Sequence, residues 1–116
     1  MQISERTIGG VVIVDAVGKI TMGDGGDALL TDKMRSLAQQ GHRKILINLA
    51  EVTYVDSAGL GALVHAYTTV TNQGGKVKLL NATRRIKDLL SITKLLMVFD
   101  TFDSEAEAVT SFSAPS

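Results

Sequence analysis

The segment Lys44-Ile45-Leu46-Ile47-Asn48-Leu49 constrains the fold more than any other, because apolar residues occupy most of both of its faces. A strand alternates its side chains between two faces, so such a run must be covered on each side, as in a parallel strand with helices packed above and below. The flanking segments supply its neighbours. Val11-Val12-Ile13-Val14 with Ala16 and Val17 reads as a strand, and Ile3 to Ile8 pairs with it across a turn at Gly9-Gly10. Gly18 to Met22 continues extended into the glycine loop Gly23-Asp24-Gly25-Gly26. Leu30, Met34, Leu37 and Ala38 then recur at helical spacing as far as Gly41, giving a first helix with Asp27 as its expected N-cap.

A second helix starts at Asp56 or Ser57 and carries Leu60, Leu63, Val64, Tyr67 and Val70 on one stripe, ending near Gln73-Gly74-Gly75. Val77 to Leu80 is another strand. Ile86, Leu89, Leu90 and Thr93 mark a short third helix that Thr83 caps, and Val98-Phe99-Asp100-Thr101-Phe102 reads as a last strand. Ser104-Glu105-Ala106-Glu107 fits a capping box, which starts a final helix running to about Phe112. The order is β-β-α-β-α-β-α-β-α. It predicts an α/β domain with a mixed β-sheet, partly parallel, flanked by about four helices and joined by right-handed crossovers.

A length of 116 residues suits one domain over residues 1–116, with its core at about 8–112 and a small-residue tail, 113–116, that is expected to fray. Twelve basic and twelve acidic residues cancel to a net charge of zero and are scattered, which disfavours a nucleic-acid surface. Cysteine is absent, so disulfides and thiolate metal sites are excluded, and no other metal or cofactor constellation is visible. The start Met1-Gln2-Ile3-Ser4-Glu5-Arg6 lacks the basic and apolar regions of a signal peptide, and no apolar run nears the roughly 20 residues of a membrane span. The expectation is a cytoplasmic protein without membrane insertion.

Chemistry concentrates at Asp56-Ser57-Ala58-Gly59-Leu60-Gly61, where a strand gives way to a helix. A hydroxyl there stands beside unpaired N–H groups and the positive end of the helix dipole, a setting that welcomes a phosphate. Ser57 also suits an N-cap, or Asp56 is the cap and Ser57 the first helical residue. Gly59 and Gly61 each cost about 1 kcal/mol in a helix relative to alanine, which calls for close packing against the sheet or close approach of a partner. Hydrolase chemistry fails on the residues: Gly-x-Ser-x-Gly needs glycine where Val55 stands, His65 is about 12 Å along the same helix, and His42 sits in a polar turn. No catalytic residue is assigned. Gly23 to Ala28 satisfies Gly-x-Gly-x-x-Ala, but Asp24 and Asp27 would face a pyrophosphate with like charge, so a nucleotide-binding module is a weak alternative. Arg84, Arg85 and Lys87 read as a solvated helix face.

The box at 56–61, the apolar strand before it and Gly74-Gly75 with the strand after it resemble a STAS domain of the bacterial anti-sigma factor antagonist family, over about Ile8 to Phe112. The resemblance implies a non-enzymatic regulator, monomeric when free. Its unphosphorylated form would bind an anti-sigma factor with serine-kinase activity and release the sigma factor; phosphorylation at Ser57 would end the effect and a serine phosphatase would restore it. The implied partner-binding residues are Thr21, Asp24, Asp27, Asp56, Ser57, Ala58, Gly59, Leu60 and Gly61. Many family members carry an acidic residue where this chain has Thr21, and Asp24 or Asp27 stands close enough in sequence to supply the carboxylate. An unmodified scaffold or accessory subunit of a sensory or transport complex is the other role such domains serve.

Overall fold

Gly9 (φ 57) and Gly10 (φ 79) take the left-handed conformation that a tight reversal requires, so β1 (Gln2–Ile8) folds back antiparallel on β2 (Val11–Ile20) with Ile8 opposite Val11. The computed structural model describes residues 1–113; the expected fraying of the tail lies, beyond Ser113, outside the described residues. After the hairpin come α1 (Gly26–Gln39), β3 (Lys44–Val55), α2 (Ser57–Thr71), β4 (Lys76–Leu80), α3 (Arg84–Ile92), β5 (Thr101–Phe102) and α4 (Glu105–Ser111). The strands form one mixed sheet in the order β1-β2-β3-β4-β5, with β2 through β5 mutually parallel. This is the α/β architecture that the alternation of strand and helix patterns predicts.

The two faces of the sheet are unequally covered. Val12 and Val14 of β2, Ile45, Ile47 and Leu49 of β3 and Val77 and Leu79 of β4 point to one side, where Leu30, Met34, Leu63, Ala66, Ile86 and Leu90 bring α1, α2 and α3 onto them. The alternate residues Val11, Ile13, Leu46 and Leu80 form a smaller core capped by Ala108 and Phe112. Lys78, on that second face, is buried with its Nζ donating to the Ser111 Oγ at 2.9 Å, which fastens the end of α4 to the sheet.

Four details depart from the expectations. Asp27 does not cap α1: the N-cap is Gly25, left-handed at φ 70, and Asp27 lies in the first turn, where its charge favours the helix dipole without a cap bond. Helix α1 can begin so close to β2 because residue 26 is glycine; a Cβ there would overlap the Lys19 carbonyl oxygen. Strand β3 runs six residues past the apolar segment to Val55, and its outer half pairs with β2 alone, since β4 stops with Leu80 opposite Asn48. The last strand shortens to Thr101–Phe102 because Phe99 turns into the core, meeting Tyr67 edge-on at 5.5 Å between ring centroids. At the capping box, the Ser104 hydroxyl accepts from the Glu107 N–H at 3.3 Å, but the reciprocal Glu107 bond is not among those made by the described residues.

Candidate functional site at the start of the second helix

Parallel strands deliver their C-terminal ends to one rim, and the first turns of α1, α2 and α3 gather there. At its centre Asp56 is extended (φ −93, ψ −174) and is the N-cap of α2, so that Ser57 is the first helical residue. The carboxylate works in two directions. Oδ1 accepts the Gly59 N–H at 2.8 Å, closing the helix start, and Oδ2 accepts the Met22 N–H at 3.1 Å, holding the loop after β2 against it. These two bonds, the Gly59 one foremost, hold the Asp56 carboxyl below the usual carboxylate range, because each favours the ionised form. The Asp56 N–H in turn donates to the Ile20 carbonyl at 3.4 Å.

Gly59 explains itself: a Cβ there would overlap the Ile20 carbonyl oxygen, so only glycine lets α2 rest directly on the end of β2. Gly61 has no such reason. A Cβ at that position would meet nothing within 4 Å, and the residue is exposed.

Ser57 is exposed, and because Asp56 supplies the cap bond its hydroxyl is left out of the helix's own hydrogen bonding. Ala58 is half-buried, and Leu60 is half-buried with its side chain against the core. The loop after β2 comes to the same rim through Met22, which the sequence did not single out and which is 70% exposed. Asp24 is exposed on that loop and Asp27 half-buried beside it. Thr21 is different: it is only 9% exposed, and its Oγ1 accepts the Asp24 N–H at 3.2 Å, so this residue braces the loop from inside.

Among the described residues no histidine stands within hydrogen-bonding reach of Ser57. His65, on α2, has its Nδ1 3.4 Å from the Thr69 Oγ1 and lies two turns from Ser57. Among the described residues no group of three or more His, Cys, Asp or Glu side chains is arranged to hold a metal ion, and no helix is long and apolar enough to cross a membrane. The rim thus presents the Ser57 hydroxyl at the start of α2, beside the Asp56 carboxylate.

Residues 2–108 match the profile of the STAS domain. The chain belongs to the STAS domain family. A relative, the anti-sigma-B factor antagonist of Bacillus subtilis, is 40% identical over 72 residues, which are 62% of this chain and 65% of that protein. The match thus spans just under two thirds of that relative. An anti-sigma factor antagonist from Mycobacterium paratuberculosis shares the STAS fold with a TM-score of 0.84 over 97% of this chain and 94% of that one, at 19% identity. SpoIIAA, an anti-sigma factor antagonist, is similar in its unphosphorylated form with a TM-score of 0.76 over 98% of this chain and all of that one, at 16% identity. The phosphorylated form of SpoIIAA from Bacillus gives 0.74 over 95% and 98% at 17%. At such identities the solved structures establish the fold.

Proposed function

We propose that this STAS protein is an anti-sigma factor antagonist working in the cytoplasm as a monomer when free. Its unphosphorylated form binds an anti-sigma factor with serine-kinase activity and so frees the sigma factor; transfer of a phosphoryl group to Ser57 ends that binding, and a serine phosphatase reverses it. The observation that carries the reading is the exposure of Ser57 at the first position of α2, with the capping duty taken by Asp56. Supporting it are the similarity to named anti-sigma factor antagonists and the fact that SpoIIAA has been obtained with this fold in both unphosphorylated and phosphorylated forms.

Electrostatics explains how such a switch works without refolding. Phosphoserine carries about 1.5 to 2 negative charges at neutral pH, and a helix N-terminus repays such a charge by roughly 0.3–1 kcal/mol. The free domain therefore tolerates the modification. An interface does not, because the new charge joins Asp56 and the exposed Asp24 and must be desolvated on docking, at a cost of several kcal/mol. Gly61 fits the same picture, since its bare backbone lets a partner approach the exposed side of α2.

The test is incubation of wild type and Ser57→Ala with the cognate serine kinase and ATP, followed by intact-mass measurement and by titration of Ser57→Asp against the kinase. Expected are one phosphoryl group gained by wild type alone, and an aspartate variant that stays folded by circular dichroism while binding at least about tenfold more weakly. Equal modification of Ser57→Ala, or full-strength binding by Ser57→Asp, refutes a switch at Ser57, and no phosphoryl gain by wild type leaves an unmodified scaffold.

A further inference from the structure

The overhang of β3 leaves an open groove on the described chain. Where β4 has ended, α3 takes its place beside β3, and the space between them, about 530 Å³, is walled by Tyr54 and Val55 on one side and by Leu89 and Ile92 on the other. The walls are apolar and open to water: Ile92 is 79% exposed and Tyr54 46%. Burying apolar side chains of this kind is favourable, so this is surface with much to gain from a partner.

The rim of the groove is cationic. Arg84 and Arg85 are exposed at the start of α3, and among the described residues neither has a carboxylate within 4.0 Å, although Asp88 follows one turn later. Their neighbour Lys87 is paired, with Asp103 at 3.3 Å. The Arg85 guanidinium instead lies over the Tyr54 ring at 5.9 Å from its centroid, beside the apolar slot and with its N–H groups unclaimed by any carboxylate among the described residues. A guanidinium suits a planar carboxylate that accepts two hydrogen bonds. The outer edge of β3 adds backbone groups, since Glu51 to Val55 pair with β2 only.

We propose that this groove docks a short, extended, acidic segment of a partner protein, with one apolar side chain seated between Tyr54, Leu89 and Ile92 and flanking carboxylates on Arg84 and Arg85. The choice of occupant follows from charge. A basic segment would meet two unpaired cations, and a nucleic-acid backbone, charged at every phosphate, would also have to cross Asp88 in the groove lining, whereas a short peptide can place its carboxylates on the two arginines alone. An unpaired free edge and an apolar slot favour an extended peptide. The site needs no phosphorylation and stands whether or not Ser57 is ever modified.

The experiment titrates the isotope-labelled full chain with acetyl-Glu-Asp-Leu-Asp-Glu-amide, with its charge-reversed acetyl-Lys-Lys-Leu-Lys-Lys-amide, and with oligothymidylate, followed by NMR. The acidic peptide is expected to give saturable shifts at Tyr54, Arg85, Leu89 and Ile92, to weaken about tenfold in an Arg84→Ala/Arg85→Ala variant and to weaken with added salt. Ser57→Ala binds it as wild type does, which separates this site from the switch. Circular dichroism of the double variant confirms that its loss is not unfolding, since both substituted side chains are solvent-exposed. Equal shifts from the lysine peptide, tighter binding of oligothymidylate at the same residues, shifts confined to other surfaces, or undiminished binding by the double variant overturns the proposal.

Discussion

Gly59 and Gly61 lie two positions apart in α2, yet alanine at the two should move stability in opposite directions. The intrinsic term is common to both: replacing a helical glycine by alanine gains about 1 kcal/mol. At Gly61 nothing lies within 4 Å of the added Cβ, so most of that gain is realised, about 0.5–1 kcal/mol, part of it through a less flexible unfolded chain. At Gly59 the Cβ overlaps the Ile20 carbonyl oxygen and approaches its carbonyl carbon at 2.9 Å. That carbonyl is main chain and has no rotamer to escape into. Helix α2 must back away from β2, loosening the Asp56 bonds to Gly59 and Met22 as it goes. Overpacking costs about 1–3 kcal/mol, and a rigid backbone neighbour puts the site at the top of that range, so the net loss after the propensity gain is about 2 kcal/mol. At about 4 °C per kcal/mol for a domain of this size, Gly59→Ala should melt roughly 8 °C below wild type and Gly61→Ala about 3 °C above it. Urea unfolding followed by far-ultraviolet circular dichroism measures both. Equal midpoints, or a Gly59→Ala protein as stable as wild type, would show that α2 does not rest on the Ile20 carbonyl and would refute the reasoning.

Leu63, fully buried beneath the same helix, should cost roughly 2–5 kcal/mol when cut back to alanine, read as a fall in the urea midpoint at unchanged slope. Acid should expose the Asp56 cap. Its folded pKa lies below the unfolded one, so its contribution is complete above the ordinary carboxylate range and is lost as pH falls through the folded value; Asp15, lowered chiefly by its bond to Arg6, behaves the same way. Asp56→Asn keeps an acceptor but no titrating group, and urea midpoints between about pH 5 and pH 2 should therefore fall less steeply for the variant than for wild type. An acid limb as steep in the variant would place the sensitivity elsewhere.

The sequence carried the element order because each core element announces itself by period. Val11 to Val14 and Ile45 to Leu49 read as strands, and the Leu60, Leu63, Tyr67 and Val70 stripe reads as a helix, with no tertiary knowledge needed. What was illegible depended on contacts between distant segments. Ala50 to Val55 alternates weakly, since its outer half has β2 as its one partner strand, so the length of β3 was hidden. Asp27 has the chemistry of a cap, but Gly25 in the left-handed conformation had already turned the chain into the helix. Val98 to Phe102 looked like a strand until the core claimed Phe99. At the site, the box at 56–61 was visible in full, and the choice between Asp56 and Ser57 as cap was decided only when Oδ1 met the Gly59 N–H. Met22 leaves no periodic trace, and the groove beside α3 is not legible because Arg84 and Arg85 look solvated, the Tyr54 ring under Arg85 being a contact between distant segments.

The last two residues of β2 are where the starts of two helices come to bear. Gly26 lies on the Lys19 carbonyl and Gly59 on the Ile20 carbonyl, each without room for a methyl group, while Asp56 clamps the intervening loop. Both helix starts are thus seated on consecutive carbonyls of one strand tip. Residues 21–25 and Ser57 therefore share one footing, and a partner seated on this rim meets the loop and the serine as one surface rather than two.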